Sequence, residues 1–483
     1  METTTIYFIL SGLAGLYVIA AYVFLVIDNR SPQSTFAWLF LFYIFPLGGI
    51  LIYTLFGRDR HAFSDENKLL KQVITDDLSQ PLTPWLLQQN EAIEKLKAES
   101  RPALRKLLEL LRRNSCACLT LHNHLEILPT AGHKYPRLLE DIQAAQYSIH
   151  LAYYEWAADA FTEELKELLI SKARAGVEVR VLFDPWGSYA GIRRRYVREM
   201  NEGGVKMYPF SPFYKLHTIG YRNHRKIAVI DGQIAYTGGM NMSQAHLTGP
   251  AGFTGWRDTH ARLTGEVVRL LQATFLISWY NGTGEKLAGE FYLPLPAEPL
   301  DYLPVQVVNS GPDSEWHAIR QLYFFLILAA EHHVYIQSPF FILDESIAEA
   351  LKAAALSGVE VKVMLAPKGP DEKLSYRAGR TYAAAMVKAG VQVYYYQDAY
   401  FHAKAIMIDS AICSIGSANM DIRSFSINYE TNLVIYDQAT TQQLEQNFRN
   451  DLKHCTPFSL AEYQRRFFSR LGDSTIRLFS PLL

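Results

Sequence analysis

What this chain lacks narrows it first. Four cysteines in 483 residues are too few for a disulfide scaffold. Cys116 and Cys118 stand as a single C-x-C with no second pair to complete a zinc site. An excess of either charge is also missing: 47 Lys and Arg face 48 Asp and Glu, a balance that argues against a protein devoted to coating nucleic acid. The sequence holds no H-E-x-x-H helix, no clustered acidic ligands and no glycine-rich phosphate loop, so neither a metal nor a cofactor is expected. No basic segment precedes the first apolar run, which begins after Met-Glu-Thr-Thr-Thr. That start does not suit a cleaved secretory signal, and an uncleaved anchor is expected instead.

What is present begins with two long apolar runs. Ile6 to Ile27 and Phe36 to Phe56 each pass without a charged residue. Each is long enough to cross a hydrocarbon layer roughly 30 Å thick as a helix. The short link "DNRSPQST" predicts an antiparallel hairpin over residues 1–57. The N-terminus has no Lys or Arg and the link has only Arg30, whereas Arg58, Arg60, Lys68 and Lys71 follow the second run. The positive-inside rule then places both termini and the bulk of the chain on the cytoplasmic side. Tyr and Phe, with 29 and 26 copies, suit a protein that meets lipid, and suit a rich core equally well. Residues 58–120 read as a polar, solvated helical connector.

The remaining chain, too long for one core, contains a repeat. "GVEVRVLFDP" (176–185) and "GVEVKVMLAP" (358–367) each follow a helical pattern and lead through another helix to a Gly-Val strand. The strands "YSIHLAYY" and "HHVYIQSPFF" come before them. Strand, helix, strand, helix, strand is a βαβ pattern with parallel strands, giving α/β domains at 121–295 and 296–483.

A second pair of strings marks the same repeat. "HRKIAVID" (224–231) and "HAKAIMID" (402–409) share H-x-K-x4-D, 178 residues apart. Each is followed by small residues and an asparagine, Asn241 or Asn419, 17 positions after its histidine. On a strand, residues two apart share a face, so His224 and Lys226 point together, as do His402 and Lys404. A lysine, a carboxamide and small residues suit a phosphate oxygen. One such set could be a solvated strand end; two sets brought together across a pseudo-twofold axis make a site with a nucleophile on one wall and a proton donor on the other. Each histidine needs an acceptor at its second nitrogen, and Asp258 and Glu430, 34 and 28 residues after the histidines of their own halves, are the candidates. Asp231 and Asp409 lie at an odd offset from their histidines and are expected to fix the turn rather than touch substrate.

These residues resemble the phospholipase D superfamily, whose signature is the duplicated H-x-K-x4-D, Asp231 and Asp409 being counted there with the catalytic set. "SPQSTFAWLFLFYIFPLGGILIYTLFGR", "GWRDTH", "SIGSANMDIRSFSINYE" and the ending "IRLFSPLL" look like bacterial cardiolipin synthases. The resemblance implies two similar α/β domains with mixed sheets packed around a shared active site. It implies a multi-pass protein of the bacterial inner membrane with phosphatidylglycerol as substrate. Cardiolipin and glycerol would form through a phosphatidyl-histidine, with His224 as nucleophile and His402 as acid and base. His217 is a further nearby histidine with no role assigned. A phospholipid hydrolase, a nucleic-acid phosphodiesterase and a non-enzymatic membrane scaffold are the alternatives. The charge balance and the two apolar runs weigh against the second, and two intact motif sets weigh against the third.

Overall fold

A computed structural model describes residues 2–27, 32–53, 91–98, 102–115, 117–211, 220–287, 289, 291–296, 300–369, 373–465 and 467–480. His217 and most of the connector before residue 91 lie outside the described residues. The chain divides into two units, Met1–Ala62 with Phe213–Gly220 and Phe63–Pro212 with Tyr221–Leu483.

In the first unit, helices span Glu2–Ile27, Pro32–Ile44 and Pro46–Ile52. Pro32 and Pro46 each open a helix, where a missing N–H is harmless and the fixed φ already suits the first turn. Leu25, Phe42 and Tyr53 form a small core, with Trp38 edge-on to Tyr53 at 5.0 Å. Around that core, Leu16, Ile19, Ile27, Phe36, Phe40 and Tyr43 face outward and are exposed. Among the residues whose side chains are described, no helix is long and apolar enough to cross a membrane. Side chains at 2–4, 6–11, 13 and 14 of the first helix lie outside that description.

The second unit is built on one mixed sheet. Its first half supplies β1 (Leu119–Leu128), β2 (Ser148–Tyr153), β3 (Glu178–Phe183), β4 (Lys206–Pro209), β5 (Ile227–Ile230), β6 (Ile234–Gly238), the short β7 (Trp256–Arg257) and β8 (His260–Gly265). The second half supplies β9 (Tyr302–Ser310), β10 (His333–Ser338), the short β11 (Phe341–Ile342), β12 (Glu360–Leu365), β13 (Gln392–Tyr396) and the short β14 (Tyr400–Phe401). After these come β15 (Ala405–Ile408), β16 (Ile412–Gly416), the short β17 (Met420–Asp421), β18 (Glu430–Ile435) and β19 (Cys455–Pro457). Fifteen of these strands run in the order β19-β13-β12-β10-β15-β16-β18-β9-β1-β8-β6-β5-β2-β3-β4. Apart from β19, the order is palindromic about β9 and β1, which pair antiparallel. The two expected sheets are therefore fused into one at the repeat axis. Within this fifteen-stranded sheet the parallel pairs are those of β2-β3-β4 and β10-β12-β13, as the βαβ strings predict. The H-x-K strands β5 and β15 run antiparallel to both neighbours.

Local chemistry explains the repeated strings. Asp159 and Thr162 form a reciprocal capping box at the helix Ala160–Arg174, and Asp344 caps Glu345–Leu356. Both helices end on a left-handed glycine, Gly176 at φ 95° and Gly358 at φ 96°, where a side chain would be strained. The following valines, Val177 and Val359, donate back to Lys172 and Ala354 at 3.1 Å, closing the helix end before the strand. β5 and β15 are buried on both faces. One face packs on a core shared by both halves, with Val229, Leu263, Val305, Met407 and Leu433. The other faces build separate cores for the first and second halves.

The connector differs from its expected solvated form. In the helix Pro102–Ser115, Leu107, Leu108 and Leu111 are buried in the core of the second half, and Asn114 donates to Gln321 at 2.8 Å. Three leucines on one face need an apolar partner, and the helix Ala318–Ala329 provides it.

Asp231 and Asp409 stand at the turns that follow β5 and β15, with φ of 52° and 50°. The Asp231 carboxylate accepts the backbone N–H groups of Gln146, Tyr147 and Ser148 at 2.7–2.8 Å. Asp409 does the same for Glu331, His332 and His333 at 2.8–2.9 Å. Each aspartate thus clamps the start of the neighbouring strand, on the end of its own strand away from the histidine. Counting them with the groups that touch substrate, as the signature does, conflicts with this placement. Asp231→Ala is expected to lower unfolding free energy by about 2 kcal/mol, since three amides lose a charged acceptor. Chemical denaturation of the full chain in micelles measures it, and an unchanged midpoint would contradict the clamp.

Candidate active site

The histidines sit at crossings between the two halves. The N–H of His224 donates to the carbonyl of Tyr429 at 3.0 Å, and the next residue along is Glu430. The N–H of His402 donates to the carbonyl of Arg257 at 2.8 Å, and the next residue along is Asp258. A bridge between Asn223 and Tyr429 and the parallel pairing of β7 with β14 frame these contacts.

This backbone arrangement decides the side-chain pairs. His224 Nδ1 lies 3.0 Å from the Glu430 carboxylate, and His402 Nδ1 lies 2.8 Å from Asp258. The sequence reading pairs each carboxylate with the histidine of its own half. The structure crosses them, because each histidine's lead-in strand is hydrogen-bonded to the lead-in of the opposite carboxylate. An ionised carboxylate can only accept, so each Nδ1 carries the proton and each Nε2 keeps its lone pair.

The carboxylates are themselves fixed. Glu430 accepts from the hydroxyls of Ser417 and Ser424. Asp258 accepts from the Thr259 N–H at 2.7 Å and the Trp256 indole at 3.3 Å. Gly239 makes room for it: a Cβ there would stand 1.9 Å from Asp258 Oδ1. At the equivalent place the second half has Ser417, which bonds its carboxylate instead of making room.

Lys226 and Lys404 are fully buried, whereas His224 and His402 each keep 8 % exposure. Each ammonium turns back to the carbonyl of its own histidine, at 2.7 Å for Lys226 and 2.6 Å for Lys404. Asn241 is held by Glu155, whose N–H donates to it at 3.3 Å and whose carboxylate accepts from it at 3.2 Å. Asn419 Oδ1 is buried without a partner among the described residues. No group of three or more His, Cys, Asp or Glu among the described residues is placed to hold a metal.

Burial pushes the His224 imidazole down to about 4, with Glu430 opposing and both lysines assisting. Burial likewise pushes His402 down to about 3, helped by both lysines and opposed by Asp258. Burial lowers Lys226 to about 7 against the pull of Glu430. For Glu430 and Asp258 burial acts upward, but the facing imidazole and nearby lysines outweigh it and hold both carboxyls below their usual range. The charge of each lysine is thus felt at both histidines, as one shared pocket requires. At neutral pH both imidazoles are uncharged, and their free nitrogens can act as base or nucleophile.

Comparison with known proteins shows the family. A family model described as "Cardiolipin synthase, PLD-like domain" matches residues 138–250 and 324–452, and one described as "Phospholipase_D-nuclease N-terminal" matches 15–58. A cardiolipin synthase of Geobacillus thermodenitrificans is 38% identical, covering 98% of this chain and 94% of its own. One from Oceanobacillus iheyensis is 35% identical, covering 98% of this chain and 99% of its own. The chain belongs to the cardiolipin synthase family. The crystal structure of a phosphatidylserine synthase from Haemophilus influenzae shares the fold, with a TM-score of 0.59 at 14% identity over 78% of this chain and all of its own.

Within this family member, sequence reasoning missed several residues around the site. Lys134 is fully buried, donates to the Met240 carbonyl at 3.2 Å and stands over the Tyr153 ring at 4.7 Å. Its signal was present: it falls on the stripe Ala131, Tyr135, Leu138 and Ile142 that the helix buries. His246 packs on Trp256 at 3.9 Å and stands 6.2 Å from His402, ring centre to ring centre. Neither ring nitrogen of His246 has a partner among the described residues. Glu155, Ser417 and Ser424 carry no pattern that a sequence could reveal.

Proposed function

We propose that the chain moves a phosphatidyl group from one phosphatidylglycerol to another, giving cardiolipin and glycerol. The crossed His–carboxylate pairs are the observation that carries this reading. They supply two oriented imidazoles, each with one free nitrogen, in one pocket with two lysines.

In the first step His224 Nε2 attacks phosphorus, the bond to the glycerol oxygen breaks, and His402 gives that oxygen a proton. The bound phosphodiester brings a negative charge that offsets the lysines, so one imidazole can hold the proton it needs as an acid. In the second step His402 takes the proton of an acceptor glycerol hydroxyl. Its oxygen attacks phosphorus, and the phosphorus–nitrogen bond breaks to free His224. Lys226, Lys404, Asn241 and Asn419 stabilise the charge on the remaining oxygens. Asp258 and Glu430 orient the imidazoles and stabilise their cationic forms. The choice of His224 over His402 as nucleophile rests on the family likeness.

The first unit is the membrane anchor in this reading, a hairpin of two spans with both termini and the catalytic halves on the cytoplasmic side. The support is its outward-facing Leu16, Ile19, Ile27, Phe36 and Phe40, which water would penalise and lipid would not. In this reading the domains run as 121–295 and 296–483, and β9 pairs with β1, whose first residues Leu119 and Thr120 precede the first domain.

Purified full chain in micelles with phosphatidylglycerol alone is expected to release cardiolipin and glycerol in equal amounts. Phosphatidic acid as the main product would assign water as the acceptor and overturn the transfer reading.

A further inference from the structure

The helix Phe467–Arg477 turns its large apolar side chains outward and its one acid inward. Of its polar side chains Asp473 is buried, while Arg470, Ser474, Thr475 and Arg477 are exposed. Asp473 is fully buried and pairs with Arg377 at 2.8 Å and Arg380 at 3.2 Å, both on the helix Lys373–Lys388. Gly472 allows this approach, since a Cβ there would stand 2.2 Å from the Arg377 guanidinium. Ser480, just beyond the helix, is bonded to Tyr382 at 3.2 Å.

The apolar face points outward. Phe467, Phe468, Leu471, Leu478 and Phe479 are 63%, 84%, 56%, 78% and 56% exposed. At about 100° per residue, Phe467, Phe468 and Leu471 fall on the side of the helix opposite Asp473, together with the exposed Thr475, and Leu478 and Phe479 follow just beyond the helix end. Five large exposed apolar side chains form a patch that water disfavours. The helix's own charge is mostly basic, and the exposed Glu462 of the preceding helix lines the same cleft as Ser469. From Tyr463 to the last residue the sequence carries Arg465, Arg466, Arg470 and Arg477, and its one acid is the ion-paired Asp473.

We propose that this helix is a second membrane contact, lying in the interface of a bilayer rich in anionic phospholipid. Phe467, Phe468, Leu471, Leu478 and Phe479 enter the acyl boundary, and Arg470 and Arg477 meet lipid phosphates. Aromatic and aliphatic side chains on one face, with exposed arginines toward the protein side, where Arg470 donates to the Gln464 carbonyl and Arg477 stands over Tyr382, are a composition such helices use. A protein partner would need acidic groups to match the arginines, and a second copy of the same helix would bring arginine against arginine. This arrangement favours lipid: ion pairs fix Asp473 to the protein, leaving the large apolar side chains for a neighbour that offers no hydrogen bonds.

The test uses the full chain in vesicles, with Phe468→Trp as probe. The site is exposed, so the added indole leaves packing untouched. With brominated acyl chains in phosphatidylglycerol vesicles, the emission added over the unsubstituted chain is expected to fall by about half, as for a ring seated roughly 5–10 Å deep. Quenching should weaken in phosphatidylcholine vesicles or when Arg470 and Arg477 are both changed to glutamine. Unquenched added emission in the anionic vesicles overturns the proposal. Protection that follows protein density instead of lipid charge overturns it in favour of self-association. The readout needs no turnover, so it stands or falls separately from the transfer reaction.

Discussion

Alanine at position 224 is expected to end cardiolipin formation, a loss on the order of 10⁴-fold or more, because it removes the nitrogen proposed to carry the covalent intermediate. The fold should survive. Glu430 keeps its bonds from Ser417 and Ser424, so no carboxylate is left bare. His402→Ala should be equally poor in turnover but different in kind. Its His224 keeps Glu430 and a free Nε2, and the slow attack that remains leaves phosphatidyl-enzyme with no base to activate an acceptor. Acid-labile, base-stable label from radioactive phosphatidylglycerol should therefore accumulate on His402→Ala and be absent from His224→Ala. Label on His224→Ala in the amount seen with the unsubstituted enzyme would transfer the nucleophile's role to His402.

The second large effect follows from the crossed pairs. Asp258→Asn is isosteric, yet it replaces the acceptor at His402 Nδ1 with a group that can donate there, favouring the wrong tautomer. A loss of about 10³–10⁴-fold is expected, and it should be a His402 defect although Asp258 belongs to the half that carries His224. Glu430→Gln should be the mirror case, a His224 defect. Nitrogen-15 spectra of histidine-labelled full chain in micelles separate the two. Asp258→Asn should disturb the Nδ1-protonated form of His402 and leave His224 as it was. A change at His224 in place of His402 would restore the pairing within each half and remove the crossed site.

Much of this was legible in one dimension. The recurrence of H-x-K-x4-D, of "GVEV" and of the asparagine 17 residues on revealed a duplicated fold, because each string is a local requirement. A left-handed glycine ends a helix, and a two-residue period sets a shared face. The odd offset of Asp231 and Asp409 anticipated that they would turn away from the imidazoles. The helix Pro102–Ser115 was misread because its leucines and its charges are equally prominent, and only a packed neighbour decides which matter.

One dimension suffices to name the chemistry available: two imidazoles, two ammoniums, two carboxylates and two carboxamides, each in a repeated local frame. It could not determine which carboxylate meets which histidine. Spacing along the chain ranks partners within one half, whereas hydrogen bonding between lead-in strands ranks them across the axis. The antiparallel pairing of β1 with β9 fuses the halves into one sheet, and the contacts at Tyr429 and Arg257 then carry Glu430 to His224 and Asp258 to His402. Tertiary structure also decided the facing of the last helix. Its sequence is amphipathic either way, and the Asp473 pairs with Arg377 and Arg380 turn its apolar side outward.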